Sequence, residues 1–276
     1  MKRIYLDHNA TTPVAPEALE AMMPWQREHF GNPSSVHQEG RRARVRLDEA
    51  RESVAALISA HPQEVVFTSG GTESNNFALL GVALMLGQSR RRIITTAIEH
   101  PSVLNPLRQL APLGFDIVYL PPEADGRIDP DRLAAALDGQ PAALVSIQHA
   151  NSEVGTLQEI ATLCEMAHRS GALFHADAVQ TAGKLGLDMS ALPVDLLSLS
   201  SHKLCGPKGV GALFIRRGTP ALFSPVAGGS QERKRRGGTE NVAGIIGFGV
   251  AARLARSRLA AGVPEEVRQL RDGFYQ

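Results

Sequence analysis

The feature that most restricts this chain's fold is an alternation of hydrophobic period. Short runs rich in Val, Ile, Leu and Phe recur through its middle, and longer segments with helical spacing separate most of them. The pattern predicts seven strands: Glu64–Thr68, Arg92–Thr96, Asp116–Leu120, Ala143–Gln148, Ala172–Ala176, Asp195–Leu199 and Val210–Ile215. Predicted helices over Glu73–Leu86, Ser102–Leu113, Asp131–Leu137 and Glu159–Ser170 lie between them. Strands interleaved with helices predict an α/β fold on a mostly parallel sheet. The seventh strand follows the sixth after a short turn, which suits an antiparallel neighbour.

Two helices are predicted ahead of the sheet, over Glu17–His29 and Val36–Ser59, joined by the loop Phe30–Ser35. After it come a loop from Pro225 to Asn241 and a helix near Val242–Leu259. Pro264 opens a further helical pattern still running at Gln276, with no cap or stop signal. That is the expectation for a piece of a longer protein; a genuine terminal helix is the alternative. With 43% hydrophobic and 21% charged residues, 276 residues can bury a core. The net charge of +1, from 29 basic and 28 acidic residues, gives no global drive toward nucleic acid or anionic lipid. Two cysteines, Cys164 and Cys205, make no disulfide framework, and no apolar stretch is long enough to span a bilayer. The start, Met1 to Asp7, lacks the apolar run of a signal peptide. These features predict a soluble cytoplasmic protein.

Chemically capable residues fall just past strand ends. Ser69-Gly70-Gly71-Thr72-Glu73 follows the first strand, Glu99-His100 the second and His149-Ala150-Asn151 the fourth. Asp177 and Gln180 follow the fifth; Ser200, His202 and Lys203 follow the sixth. Ligands of open α/β sheets bind outside the carboxyl ends of the strands, so these loops are expected to converge. Singly, each also has a plain reading. Ser69–Thr72 suits a phosphate at a helix N-terminus, or is a helix start capped by Ser69 or Thr72. His175 and Asp177 share a strand face at metal-like spacing, but no third ligand accompanies them. His100 and Asn151 are equally ordinary capping residues, and Gly206–Gly211 is spaced like a dinucleotide fingerprint yet leads into a strand. Lys203 is the odd one: a lysine at the exit of a buried strand is suited to Schiff-base chemistry. Together the residues fit pyridoxal phosphate, which needs such a lysine, an acid for its pyridine nitrogen and a phosphate cup.

Longer stretches extend the pattern: Tyr5–Pro13, Gly31–His37, Phe67–Asn76, Glu99-His100, Ala150–Gly155, His175–Gln180, Ser201–Gly211 and Gln231–Asn241. On these residues the chain resembles the cysteine desulfurases of the nitrogen-fixation and iron–sulfur-assembly type, within class V of the aminotransferases. The resemblance implies a fold-type I pyridoxal-phosphate transferase: three α/β/α layers on a mainly parallel seven-stranded sheet. It divides the chain into an N-terminal active-site segment (1–15), a large cofactor-binding domain (16–260) and the start of a small C-terminal domain (261–276). It implies that Lys203 holds the cofactor and moves the substrate α-proton, while His100 stacks on the ring and assists. Asp177 would pair with the pyridine nitrogen, Gln180 with the ring hydroxyl, and Asn151 would sit beside the ring. Gly71, Thr72, Ser200 and His202 would bind the phosphate. Thr239 would reach the phosphate of a partner subunit in a homodimer, making the basic run Arg233–Arg236 part of an interface loop. The implied activity converts L-cysteine to L-alanine and an enzyme persulfide, whose sulfur passes to an acceptor or iron–sulfur scaffold protein. Selenocysteine lyase, another class V enzyme or a non-catalytic binding protein are the alternatives.

Two departures stand out. Asn151-Ser152-Glu153 replaces the usual Asn-Asn-Glu. The family's persulfide cysteine and substrate-carboxylate arginine are expected further along than this sequence runs. Cys164 is predicted to be a packing residue, and Cys205 stands where the family often has an aromatic. The chain as given is expected to be impaired in turnover.

Overall fold

A computed structural model describes residues 4–87 and 89–275. Met1–Arg3, at the start of the 1–15 segment, and Gln276, at the end of the 261–276 segment, lie outside the described residues, as does Gln88. All seven expected strands form: β1 (Val65–Thr68), β2 (Arg92–Thr96), β3 (Asp116–Leu120), β4 (Ala142–Ser146), β5 (Leu173–Asp177), β6 (Leu196–Ser200) and β7 (Gly211–Ile215). They make one sheet in the order β1-β7-β6-β5-β4-β2-β3. Only β7 runs against its neighbours, antiparallel to both β6 and β1; the other pairings are parallel. Strand ends move by one or two residues. β4, expected to reach Gln148, stops at Ser146, and the Gln148 amide bonds instead to the Glu99 carboxylate (2.9 Å). β5, expected to stop at Ala176, takes in Asp177 as its last residue.

The helices are α1 (Pro16–Arg27), α2 (Gln38–Leu57), α3 (Gly71–Leu86), α4 (Pro101–Leu110), α5 (Pro130–Leu137), α6 (Ile160–Arg169), α7 (Val242–Ala260) and α8 (Val263–Tyr275). α2 starts later than expected because the His37 ring accepts from the Gly40 amide and caps it. α4 was expected to reach Leu113. Its last residues tighten into a 3₁₀ turn over Ala111–Leu113, ended by Gly114 at φ 85°.

Alternation along each strand divides the core. Phe67, Ile94, Val145, Phe174, Leu197 and Phe214 face a layer built from α2, α5, α6 and α7. Val66, Ile93, Leu144, Leu196 and Leu213 face the other layer, Phe77, Leu79 and Val82 of α3 with Val103 and Leu107 of α4. This is the expected three-layer fold. α7 joins the first layer through a very close approach: a Cβ on Gly249 would lie 2.7 Å from the Ala50 Cα of α2. Among the described residues, no helix is long and apolar enough to cross a membrane.

Candidate active site

Near the carboxyl ends of β4, β5 and β6, the sheet face toward α3 turns polar. Ser146, His175, Asp177, Ser198 and Ser200 are all buried there. His175 lies between two hydroxyls, Nδ1 to Ser146 Oγ and Nε2 to Ser198 Oγ, each 2.9 Å. Burial pushes its pKa down to about 3, so the ring is neutral. Both nitrogens are engaged, which disposes of His175–Asp177 as a metal pair. Among the described residues no three His, Cys, Asp or Glu side chains cluster to hold an ion.

Asp177 ends β5 at the base of a pocket of about 290 Å³. Its Oδ1 accepts from the Val179 amide (2.9 Å) and its Oδ2 from Asn75 Nδ2 (2.7 Å). Burial raises its pKa despite these bonds and the nearby His100 and Lys203. The pocket also gathers Gly71, Thr72, His100, Gln180, Ser200, His202 and Lys203. With Gln148 and Ala150 after β4, five strand ends therefore converge, as expected.

Lys203 follows β6 in a single 3₁₀ turn, and burial lowers its pKa against the opposing pull of Asp177 and Asp7. Its Nζ donates to the backbone carbonyls of Asn9 and Ala10 (2.9 Å for the latter). The segment carrying those carbonyls lies along the 202–205 turn: Thr12 Oγ1 donates to the His202 carbonyl and accepts from the Cys205 amide, both 2.8 Å. His202 Nδ1 meets Thr11 Oγ1 at 3.1 Å.

α3 opens on the pocket, and of the two readings of Ser69–Thr72 the side-chain cap does not form. Gly70 occupies the N-cap position and no side chain caps the helix. Glu73 instead accepts from the Ser69 amide (2.8 Å). An uncapped first turn leaves helix N–H groups for an anion. Gly71 must also lack a side chain, since a Cβ there would lie 2.8 Å from Val179 Cγ2 and 3.5 Å from Ser200 Cβ.

His100 stands at the start of α4. It caps α4, Nδ1 accepting from the Ser102 amide (3.1 Å), and it lines the pocket. Asn75 Nδ2 donates to Ser102 Oγ (2.8 Å), which meets His100 Nδ1 at 2.7 Å. One amide thus links Asp177 to His100, a connection absent from the sequence reading. Two expected site residues stand apart. The Asn151 side chain is spent on its own turn, accepting from the Glu153 and Val154 amides and donating to the Ile98 carbonyl, while Ala150 and Ser152 line the pocket. Thr239 is exposed and outside the pocket.

Neither cysteine lines the pocket. Cys164 is buried in α6 beside His168, which bonds Asp195 at 2.8 Å. The trio resembles a relay, but the same Nε2 faces both partners, and burial pushes the thiol up to about 12. It is a packing residue, as expected. The basic run is partly bound within the chain. Arg236 forks onto Glu73 (2.8 and 3.1 Å), and the preceding Glu232 makes a buried bidentate pair with Arg51 (2.7 and 2.8 Å).

The family model "Aminotransferase class-V" matches residues 4–276. A cysteine desulfurase IscS of Dictyoglomus turgidum is 50% identical over 275 residues, 99% of this chain and 69% of that protein. A cysteine desulfurase of Trichormus azollae is 47% identical, over 100% of this chain and 68% of its own. Among solved structures, a NifS-like protein superposes with a TM-score of 0.94 at 40% identity, covering 99% of this chain and 74% of that one. SspA in complex with cysteine superposes at 0.87 and 41% identity, covering 91% and 72%. A family match along almost the whole chain, on the same sheet and pocket, makes this chain a member of the class-V aminotransferase family.

Proposed function

We propose that this pocket is the cofactor site of a pyridoxal-phosphate-dependent cysteine desulfurase. The carrying observation is that Lys203 and Asp177 line one pocket opened by an uncapped helix N-terminus. An aldehyde, a pyridine nitrogen and a phosphate call for an amine, a carboxylate and an anion cradle. The residues fit: a proton on a ring nitrogen would give buried Asp177 a partner charge, and the bare Gly71 allows an anion to approach α3.

When bound, the cofactor supplies an electron-withdrawing ring that takes up the electrons released as the substrate Cα–H bond breaks. Lys203 Nζ would hold the aldehyde carbon and carry that proton. Asp177 would hold a proton at the ring nitrogen, and His100 would assist proton transfer. Gln180 donates to the ring hydroxyl, and Gly71, Thr72, Ser200 and His202 cradle the phosphate. Asn151 would sit beside the ring, between the pocket-lining Ala150 and Ser152. Thr239 serves a partner subunit, a role supported by its exposure outside this pocket. The substrate L-cysteine is supported by the names of the relatives and the cysteine-bound SspA. In the overall reaction L-cysteine and a thiol give L-alanine and a persulfide; a C–S bond breaks and an S–S bond forms. The receiving thiol lies outside this pocket lining, on the enzyme or on an acceptor such as an iron–sulfur scaffold protein. We place the enzyme in the cytoplasm as a homodimer, with residues 1–15 as active-site segment, 16–260 as large domain and 261–276 as the start of a small one.

The test is reconstitution with pyridoxal phosphate, borohydride reduction and peptide mapping. The reading expects the label on Lys203 and none in Lys203→Ala; a label on another lysine sinks it.

A further inference from the structure

One cation near the pocket has no part in the scheme above. Lys184 is half-buried, four residues after Gln180. Its Nζ donates to Gln180 Oε1 (3.0 Å) and Asn9 Oδ1 (3.2 Å). Among the described residues no carboxylate lies within 4.0 Å of it. Burial and the neighbouring Lys203 lower its pKa, so the fold holds it there at a cost. Taking part of an ammonium out of water is unfavourable unless a partner charge offsets it.

The partners of Gln180 fix its amide. An ammonium only donates, so Oε1 must face Lys184; a backbone carbonyl only accepts, so Nε2 faces the Asn9 oxygen (3.0 Å). Nε2 carries two hydrogens, and Asn9 takes one. The second hydrogen has no acceptor among the described residues, and Gln180 lines the pocket, so it is free for a bound molecule. The pocket lining holds one carboxylate, Asp177, with bonds to both oxygens. Lysine, donor amide and helix N-terminus together leave the site short of negative charge.

We infer that Lys184 is a positioning residue: it locks the Gln180 amide as a donor toward the pocket and supplies a cation whose counter-charge is an anionic oxygen on the bound molecule. This rests on the cofactor reading above, under which that oxygen is the ring hydroxyl in its ionised form. Lys184 acts through Gln180 and does not line the pocket.

The experiment compares pyridoxal phosphate with its 3-deoxy analogue, which lacks that oxygen, by equilibrium dialysis against the purified chain. Circular dichroism verifies the fold of each variant. Lys184→Met is expected to weaken pyridoxal phosphate about tenfold and the analogue by less than about twofold, the size of one charge-assisted hydrogen bond. If Lys184→Met does not fold, Lys184→Gln, which keeps a donor without the charge, is expected to show the same selective loss. Equal loss for both compounds, or none for either, overturns the role of Lys184 and leaves the cofactor reading standing. Failure of the unsubstituted chain to bind either compound overturns both.

Discussion

Glu99, one residue before His100, carries its carboxyl where water cannot reach it. Oε1 accepts from Thr96 Oγ1 (2.7 Å) and the Gln148 amide (2.9 Å), while Oε2 has no partner. Burial, with a smaller push from Asp177, raises its pKa to about 8. The folded pKa lies above the carboxyl's ordinary value of 4.5, so the folded chain keeps a proton that the unfolded chain releases. This contribution to stability is complete below the unfolded value and is lost as pH rises through about 8. Urea midpoints are expected to fall across that interval, and Glu99→Gln, neutral throughout, to flatten the decline. An equally steep decline in the variant would assign it to other groups. At this scale the sequence was informative where a residue follows a strand end, as with Lys203, Asp177 and His100. It was silent on pairings made only by folding: Asn75 meets Asp177 from 102 positions away. It also could not separate Asn151, whose side chain is taken up by its own turn and the Ile98 carbonyl, from residues facing the pocket.

The first turn of α3 is the element on which the proposed phosphate grip depends. Gly71→Ala places a methyl against Val179 and beside Ser200. Overpacking of this kind costs about 1–3 kcal/mol, and we expect pyridoxal phosphate affinity, measured by dialysis, to fall at least about tenfold. Behind that turn, Arg51 of α2 forks onto Glu232 and also donates to the Val65 carbonyl (2.8 Å), while Glu232 accepts from the Phe67 amide (2.9 Å). Arg51→Met strands a buried carboxylate, and urea denaturation is expected to show a loss of about 3–5 kcal/mol. The double change Arg51→Met with Glu232→Gln should cost less than the two single losses added together. Strands and helices were legible because period distinguishes them. Their ends were less so, because they depend on particular caps: His37 for α2, and no side chain at all for α3.

For the whole molecule, the α/β layering and the reversal of β7 were legible in the alternation and in the short turn after Lys203. The strand order was not, because it depends on which helices cover which face. A cofactor that binds only the folded chain should stabilise all of it. At a hundredfold excess over Kd, pyridoxal phosphate is expected to add about 2.7 kcal/mol, read as a higher melting temperature. Lys203→Ala should lose most of that gain. The close seat of Gly249 against Ala50 carries a consequence for synthesis. α1 and α2 leave the ribosome early, yet both pack against α7, which begins at Val242. At typical elongation rates the nascent chain waits roughly 10–40 s between completing α2 and starting α7. Through that interval Leu47, Val54 and their neighbours lack the α7 part of their cover, so the newborn chain is most exposed to chaperones and to aggregation before α7 is made.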